Sequence, residues 1–226
     1  LFAIALIISD LTPLISFDFF NFFKNIFPEK FILEFTKEGY EGLDVTRLEI
    51  LQEAYKVIIN NPNSPAIEKI KQRNIKSTVL DPQDFANTRD YNTQLLSIIN
   101  PGDKDIIFLC GYMMIIPPEI IKELNSRIIN IHPSLLPKYK GLNTHKRVLE
   151  NKEAYHGCTV HQVNEGIDSG KLIAQYKIKI YDNDNEETLS KRLLVKEHIL
   201  YSKVLEEIIG EKLIINENEI FYKNSL

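Results

Sequence analysis

Residues 105–132 read DIIFLCGYMMIIPPEIIKELNSRIINIH, and this stretch decides the fold class. Asp105–Cys110 (DIIFLC) is a short, nearly unbroken apolar run, as expected of a strand buried on both faces of a parallel sheet. Pro117–Leu124 predicts a helix, and Arg127–Ile131 (RIINI) predicts a second buried strand. Strand, helix and strand in this order make a unit of an open parallel sheet flanked by helices.

The pattern extends upstream. Ala3–Ser9 (AIALIIS) predicts a buried first strand, Thr46–Tyr55 a helix, and Lys56–Ile59 a second strand closed by the Asn60-Asn61-Pro62-Asn63 turn cluster. Ser64–Arg73 predicts a helix with Ser64 as N-cap and Pro65 at the first helical position. Ser77–Leu80 is strand-like. Asp81–Asn100 predicts one continuous helix, with Phe85, Leu95, Leu96 and Ile99 as its apolar positions.

Downstream the alternation changes. Thr159–Val163 and Lys171–Tyr181 are strand-like, separated by a loop containing Gly166, Asp168 and Gly170. Glu186–Ile209 predicts a long amphipathic helix, with Leu189, Leu193, Ile199, Leu200, Val204 and Ile208 facing the core. Lys212–Ile215 is one more candidate strand. The chain shows no internal repeat or linker, so residues 1–226 read as one domain with an atypical region over 1–55.

Composition narrows the function. The 226 residues are 44% hydrophobic and 26% charged, which places the chain among globular proteins rather than disordered ones. Lys+Arg 27 against Asp+Glu 31 gives a net charge of −4, which argues against a nucleic-acid binder. The two cysteines, Cys110 and Cys158, stand apart without a CxxC pair. A zinc site or disulfide framework is not expected, and a reducing cytoplasm suits the chain. The apolar opening is interrupted at Asp10, short of the about 20 residues that a membrane span needs. It also lacks the basic leader of a signal peptide. The first residue is Leu1 rather than Met, which suggests a true start upstream or a processed one.

In Asn130-Ile131-His132 the polar residues are two apart, so at a strand end both side chains share one face. The carboxyl end of a parallel strand is where open α/β sheets bind ligands. Pro133 and Pro137 stiffen the loop that follows, as suits a preorganised site. An Asn-x-His of this kind also serves as ordinary strand-end and turn chemistry. Asp168 lies in the glycine-flanked loop Gly166-Ile167-Asp168-Ser169-Gly170. It reads as a turn former unless it reaches His132, where a carboxylate favours the imidazolium. His161 reads as a hydrogen-bonded core residue. His145, His156 and His198 lack ligand spacing, so no metal is expected.

These residues also carry a family resemblance. INIHPSLLPKYKGLNTH, from Ile129 to His145, resembles the signature of the folate-dependent phosphoribosylglycinamide formyltransferase family. HGCTVHQVNEGIDSG, from His156 to Gly170, is similar to its second motif block. The similarity continues through YDNDNEETLSKRLLVKEHILY and, more weakly, back to Val57–Ile75. It covers about three quarters of the chain.

The resemblance implies a formyltransferase-type fold: an open, mostly parallel sheet flanked by helices (Rossmann-like), with antiparallel additions in the C-terminal third. It implies transfer of a formyl group from 10-formyltetrahydrofolate, as co-substrate, to the amine of glycinamide ribonucleotide in purine biosynthesis. No metal, nucleic acid or membrane takes part, and a homodimer is allowed. Asn130, His132 and Asp168 fall on the catalytic positions. Arg89, Met113, Met114, Ile115, Ile116, Asn130, Glu165, Gly166 and Ile167 fall on the folate site, and Glu197 on a glutamate near the substrate amine.

Two departures accompany this match. The family's first strand leads into a glycine-rich phosphate loop at a helix N-terminus, whereas Asp10-Leu11-Thr12-Pro13 follows here. Met114 stands where the family usually has an arginine, and Arg89 is one position out of register with another. These departures leave two alternatives: a nucleotide-linked amino sugar as acceptor, or a non-catalytic folate-binding homologue.

Overall fold

The computed structural model describes residues 4–8, 55–64, 66–71, 77–99, 106–112, 114–124, 127–209, 212–215 and 220–222. The chain divides into two compact units, Leu1–Met113 and Met114–Leu226.

The first unit is a parallel sheet with crossover helices. Strand β1 (Ile4–Ile8) pairs in parallel with β2 (Tyr55–Ile59) on one side and β4 (Ile106–Cys110) on the other. β2 pairs in parallel with β3 (Ser77–Val79). Helix α1 (Ala66–Lys71) joins β2 to β3, and α2 (Thr88–Ile99) lies between β3 and β4. All five residues of β4 are buried, as its apolar run requires of a strand inside a parallel sheet.

Two expectations are corrected here. Residues 81–100 do not form one helix: a 3-10 turn, Pro82–Asp84, precedes α2. Asp81 Oδ1 accepts the Gln83 N–H at 2.9 Å, and Asn87 Oδ1 accepts the Asp90 N–H at 3.0 Å. Asn87 therefore satisfies a free donor of the first turn, and the helix begins after it. Tyr55 opens β2 rather than ending a helix; the rest of that expected helix, residues 46–54, lies outside the described residues.

The second unit is mixed. It contains α3 (Pro118–Glu123), β5 (Ile128–His132) and α4 (Thr144–Glu150). Then come β6 (Tyr155–Gln162), β7 (Leu172–Lys179) and the long α5 (Glu186–Ile209). β5, β6 and β7 pair antiparallel in that order, and a small hairpin of β8 (Leu213–Ile215) and β9 (Ile220–Tyr222) follows. β6 begins at Tyr155, four residues before the expected start, because its whole length pairs with β7. β9 was not expected from the sequence.

Helix α5 packs on β6 and β7. Its start is fixed by a reciprocal cap: Thr188 N–H donates to Asn185 Oδ1 at 2.9 Å, and Asn185 N–H donates to Thr188 Oγ1 at 3.0 Å. Arg192 pairs with Asp184 and donates to the Lys179 carbonyl at 3.1 Å, tying the first turns to the end of β7. The buried residues are Leu189, Leu193, Glu197, His198, Leu200, Tyr201, Val204, Leu205 and Ile208. Ile199, expected in the core, is 50% exposed, because the helical period places it on the opposite side from Leu193 and Val204.

Candidate active site

The site grows from the pairing of β5 with β6. His132 sits directly opposite Thr159, and Asn130 opposite His161. Directly opposed residues of an antiparallel pair share a face, so these four side chains lie together. Ile129 and Cys158 face the other way, toward α5. Tyr201 of that helix donates its hydroxyl to the Ile129 carbonyl at 2.9 Å and so anchors β5 from behind.

His132 is held at both ring nitrogens. Nε2 lies 3.0 Å from the Tyr139 carbonyl, and Nδ1 lies 3.3 Å from Asp168 Oδ2. Both partners only accept hydrogen bonds. An imidazole carrying N–H on both nitrogens satisfies both contacts, and one carrying a single proton satisfies one. Asp168 comes from the loop between β6 and β7, and its Oδ2 also accepts the Gly141 N–H at 2.8 Å. The ring and the carboxylate are both largely shielded from water, at 8% and 14% side-chain exposure, where charge interactions are strengthened.

The loop that carries Asp168 is internally braced. Ser169 Oγ donates to Asn164 Oδ1 at 2.8 Å, and the Gly166 N–H donates to the same oxygen at 3.2 Å. Asp168 itself has φ 43, a left-handed conformation that aspartate tolerates better than most residues.

His161, expected as a hydrogen-bonded core residue, is buried and hydrogen-bonded, and it also adjoins the cluster. Its Nε2 lies 3.5 Å from Asn130 Nδ2 and 3.6 Å from Asp168 Oδ1, and its Nδ1 lies 2.9 Å from the Gln162 carbonyl. Burial lowers its pKa, against the opposing pull of the Gln162 carbonyl and Asp168. A neutral His161 donates from Nδ1 to Gln162 and accepts at Nε2 from Asn130. That arrangement leaves the second Asn130 N–H for a ligand. The signal in the sequence was the 159/161 spacing, which repeats the 130/132 spacing on the partner strand.

The remaining expected site residues are placed as follows. Met114 is half-buried, Ile115 is 76% exposed and Ile116 is buried, just before α3. Glu165, Gly166 and Ile167 are exposed in the Asp168 loop, with Ile167 at 64%. Glu165 pairs with Lys122 of α3 at 3.4 Å. Arg89 is exposed in α2 of the first unit. Met113 and the Asp10–Pro13 segment lie outside the described residues.

Glu197 does not join the Asn130–His132–Asp168 cluster in its contacts. It is buried on α5, and its charge is felt at Cys158, on the helix-facing side of β6. Burial pushes its carboxyl up to about 7. A second pair was not foreseen either. His156 Nε2 lies 3.0 Å from His145 Nδ1, the rings are edge-on, and burial brings the His156 pKa down to about 4.

Among known proteins, the formyl transferase family matches residues 34–205 of this chain. A phosphoribosylglycinamide formyltransferase of Escherichia coli is 33% identical over 162 residues, which is 72% of this chain and 76% of that protein. The trifunctional purine biosynthetic protein adenosine-3 of Drosophila melanogaster is 36% identical over 160 residues, 71% of this chain. The chain spans 12% of the length of that larger protein. The solved phosphoribosylglycinamide formyltransferase of Coxiella burnetii superposes with a TM-score of 0.72 at 29% identity, covering 98% of this chain and 93% of its own.

Proposed function

Because the chain belongs to the formyl transferase family, we propose that it transfers a formyl group from N10 of 10-formyltetrahydrofolate to the primary amine of glycinamide ribonucleotide. The observation that carries this reading is the meeting of Asn130, His132 and Asp168, with His132 3.3 Å from the carboxylate. An acyl transfer of this kind is helped by a donor aimed at the developing oxyanion and by a ring fixed beside it.

The chain supplies both. The amine lone pair attacks the formyl carbon, and negative charge builds on the carbonyl oxygen. Asn130 offers that oxygen the N–H not directed at His161. A donor of this type contributes about 3–4 kcal/mol to the barrier. His132 places its N–H-bearing ring beside the charge, while Asp168 and the Tyr139 carbonyl hold the ring still. The amine gives up its proton to water, and water returns one to the leaving nitrogen. Breaking the carbon–N10 bond, with a proton delivered to N10, completes the transfer.

In the Met114–Ile116 segment and the Glu165–Ile167 loop, the exposed Ile115 and Ile167 and the loop backbone offer surface to the folate; Glu197 is assigned to the ribonucleotide on the family resemblance alone. The same reading takes residues 1–226 as one formyltransferase domain. It is set in a reducing cytoplasm, in keeping with the free, buried Cys110 and Cys158. No helix among the described residues is long and apolar enough to cross a membrane.

The test is an assay of the purified protein with 10-formyltetrahydrofolate and candidate amines. Formylation of glycinamide ribonucleotide is expected. Turnover of a nucleotide-linked amino sugar alone would overturn the acceptor, and folate binding without transfer to either amine would overturn the enzyme reading.

A further inference from the structure

We propose that Gln175, on the third strand of the antiparallel set, is a positioning residue that sets the aim of His132 through the Ser134–Tyr139 segment. The proposal rests on the catalytic reading of His132 given above.

The register places three side chains in a row across three strands. His132 of β5 is opposite Thr159 of β6, and Thr159 is opposite Gln175 of β7. Gln175 is itself exposed on its strand, yet its amide donates to protein acceptors. Its Nε2 donates to the Leu136 carbonyl and to Thr159 Oγ1, both at 2.9 Å. A glutamine that merely solvated a strand would spend its donors on water.

Thr159 relays the restraint. Its hydroxyl donates to the Ser134 carbonyl at 2.6 Å and accepts the Leu136 N–H at 3.1 Å in addition to the Gln175 amide. That uses its one donor and both acceptor positions. Ser134 Oγ then donates to the Lys138 carbonyl at 2.7 Å. The next carbonyl along the chain, that of Tyr139, is the one facing His132 Nε2. The segment between His132 and its own acceptor is therefore pinned from two strands away. Without the Gln175 amide, the Leu136 carbonyl loses a partner and Thr159 loses one of two donors, so the Tyr139 carbonyl is free to drift. A displacement of about 1 Å in such a support costs up to about a hundredfold in rate.

The experiment compares wild type with Gln175→Met, which keeps length and removes the donors. The readouts are the imidazole nitrogen resonances of His132 and the separate values of kcat and KM. We expect the His132 Nε2 resonance to move, kcat to fall about tenfold or more, and both KM values to hold. A His132 resonance and kcat that stay put, or a loss confined to KM, overturns the proposal. Should Gln175→Met fail to fold, Thr159→Val removes the hydroxyl that Gln175 grips, and the same resonance must move; an unmoved signal again overturns it. In the folded case the double variant should lose less than the sum of the two single losses, since both residues hold the same segment. His132→Gln separates the two readings. Activity retained there removes the catalytic role of His132, whereas the resonance shift reports on Gln175 independently of turnover.

Discussion

Gly141 and Asp168 are joined by one hydrogen bond from backbone to side chain, 2.8 Å long, and the accepting oxygen is the one that faces His132. Both residues have left-handed backbone, with φ 74 at Gly141 and φ 43 at Asp168. Two loops thus fix the direction of the carboxylate, and His132 adapts to it.

Asp168→Asn tests the charge at that junction. The amide keeps the shape but puts a donor or a neutral oxygen where both Gly141 N–H and His132 need an anion. Turnover at neutral pH should fall by at least about a hundredfold, the scale of a positioned acid–base group. Folate affinity, measured by calorimetry, should change far less. Near-full activity would return Asp168 to the role of a turn former.

Gly170→Ala tests the loop's closure. A Cβ there would stand 1.7 Å from the Gln162 carbonyl oxygen, which is backbone and has no side-chain freedom to yield. The loop must move off the end of β6 and carry Asp168 with it. Stability should drop by about 1–3 kcal/mol, as for other overpacked sites, with activity lost more steeply than stability. Gly141→Ala is the control for strain without collision, since nothing lies within 4 Å of its added carbon. Equal behaviour of the two variants in urea melts would contradict this account.

The His145–His156 contact predicts acid sensitivity. The His156 pKa is lowered from 6.5 to about 4, chiefly by burial and then by His145 and His132. His145 is also lowered by burial, with Glu186 pulling the other way. A histidine whose folded pKa lies below its unfolded value destabilises the fold on acidification, here as pH falls from about 6.5 to about 4. The loss amounts to roughly 3 kcal/mol at most. His156→Gln should flatten the dependence of the urea midpoint on pH in that window. A variant that tracks wild type point for point would rule out His156 as its source.

Glu197 predicts the opposite slope. Burial raises its pKa from 4.5 to about 7. The folded state therefore holds a proton that the unfolded chain has released, and stability falls as pH rises from about 4.5 through about 7. Glu197→Gln should gain up to about 3 kcal/mol over wild type at pH 8 and almost nothing at pH 4.5. Its affinity for the amine substrate should weaken in the same preparation. A stability difference independent of pH would show that folding does not raise the Glu197 pKa.

The strand–helix alternation was legible because its signals are local. The apolar run Ile106–Cys110 is buried at every position, and Pro118–Glu123 and Ile128–His132 fall within two residues of their expected ends. The misses were local competitions that composition does not rank. Asn87 captures the start of α2 by one side-chain hydrogen bond, and Ile199 is apolar yet off the buried stripe by its helical phase.

The chemistry divides in the same way. Asn130 and His132 share a face because strand geometry has a period of two, a fact written in their spacing. That Asp168 meets them came only from the family resemblance, and what holds them is written in neither spacing nor composition. Gly141 reaches Asp168 across 27 residues, and Gln175 reaches Leu136 across 39. Hydrogen bonds are satisfied at about 3 Å whatever the separation in sequence. Only the antiparallel pairing of β5, β6 and β7 brings those partners within that range. By itself the sequence determined the elements and the reactive residue types. The register of three strands decided that His132 stands between a carboxylate and a carbonyl, and that His161 turns the Asn130 amide.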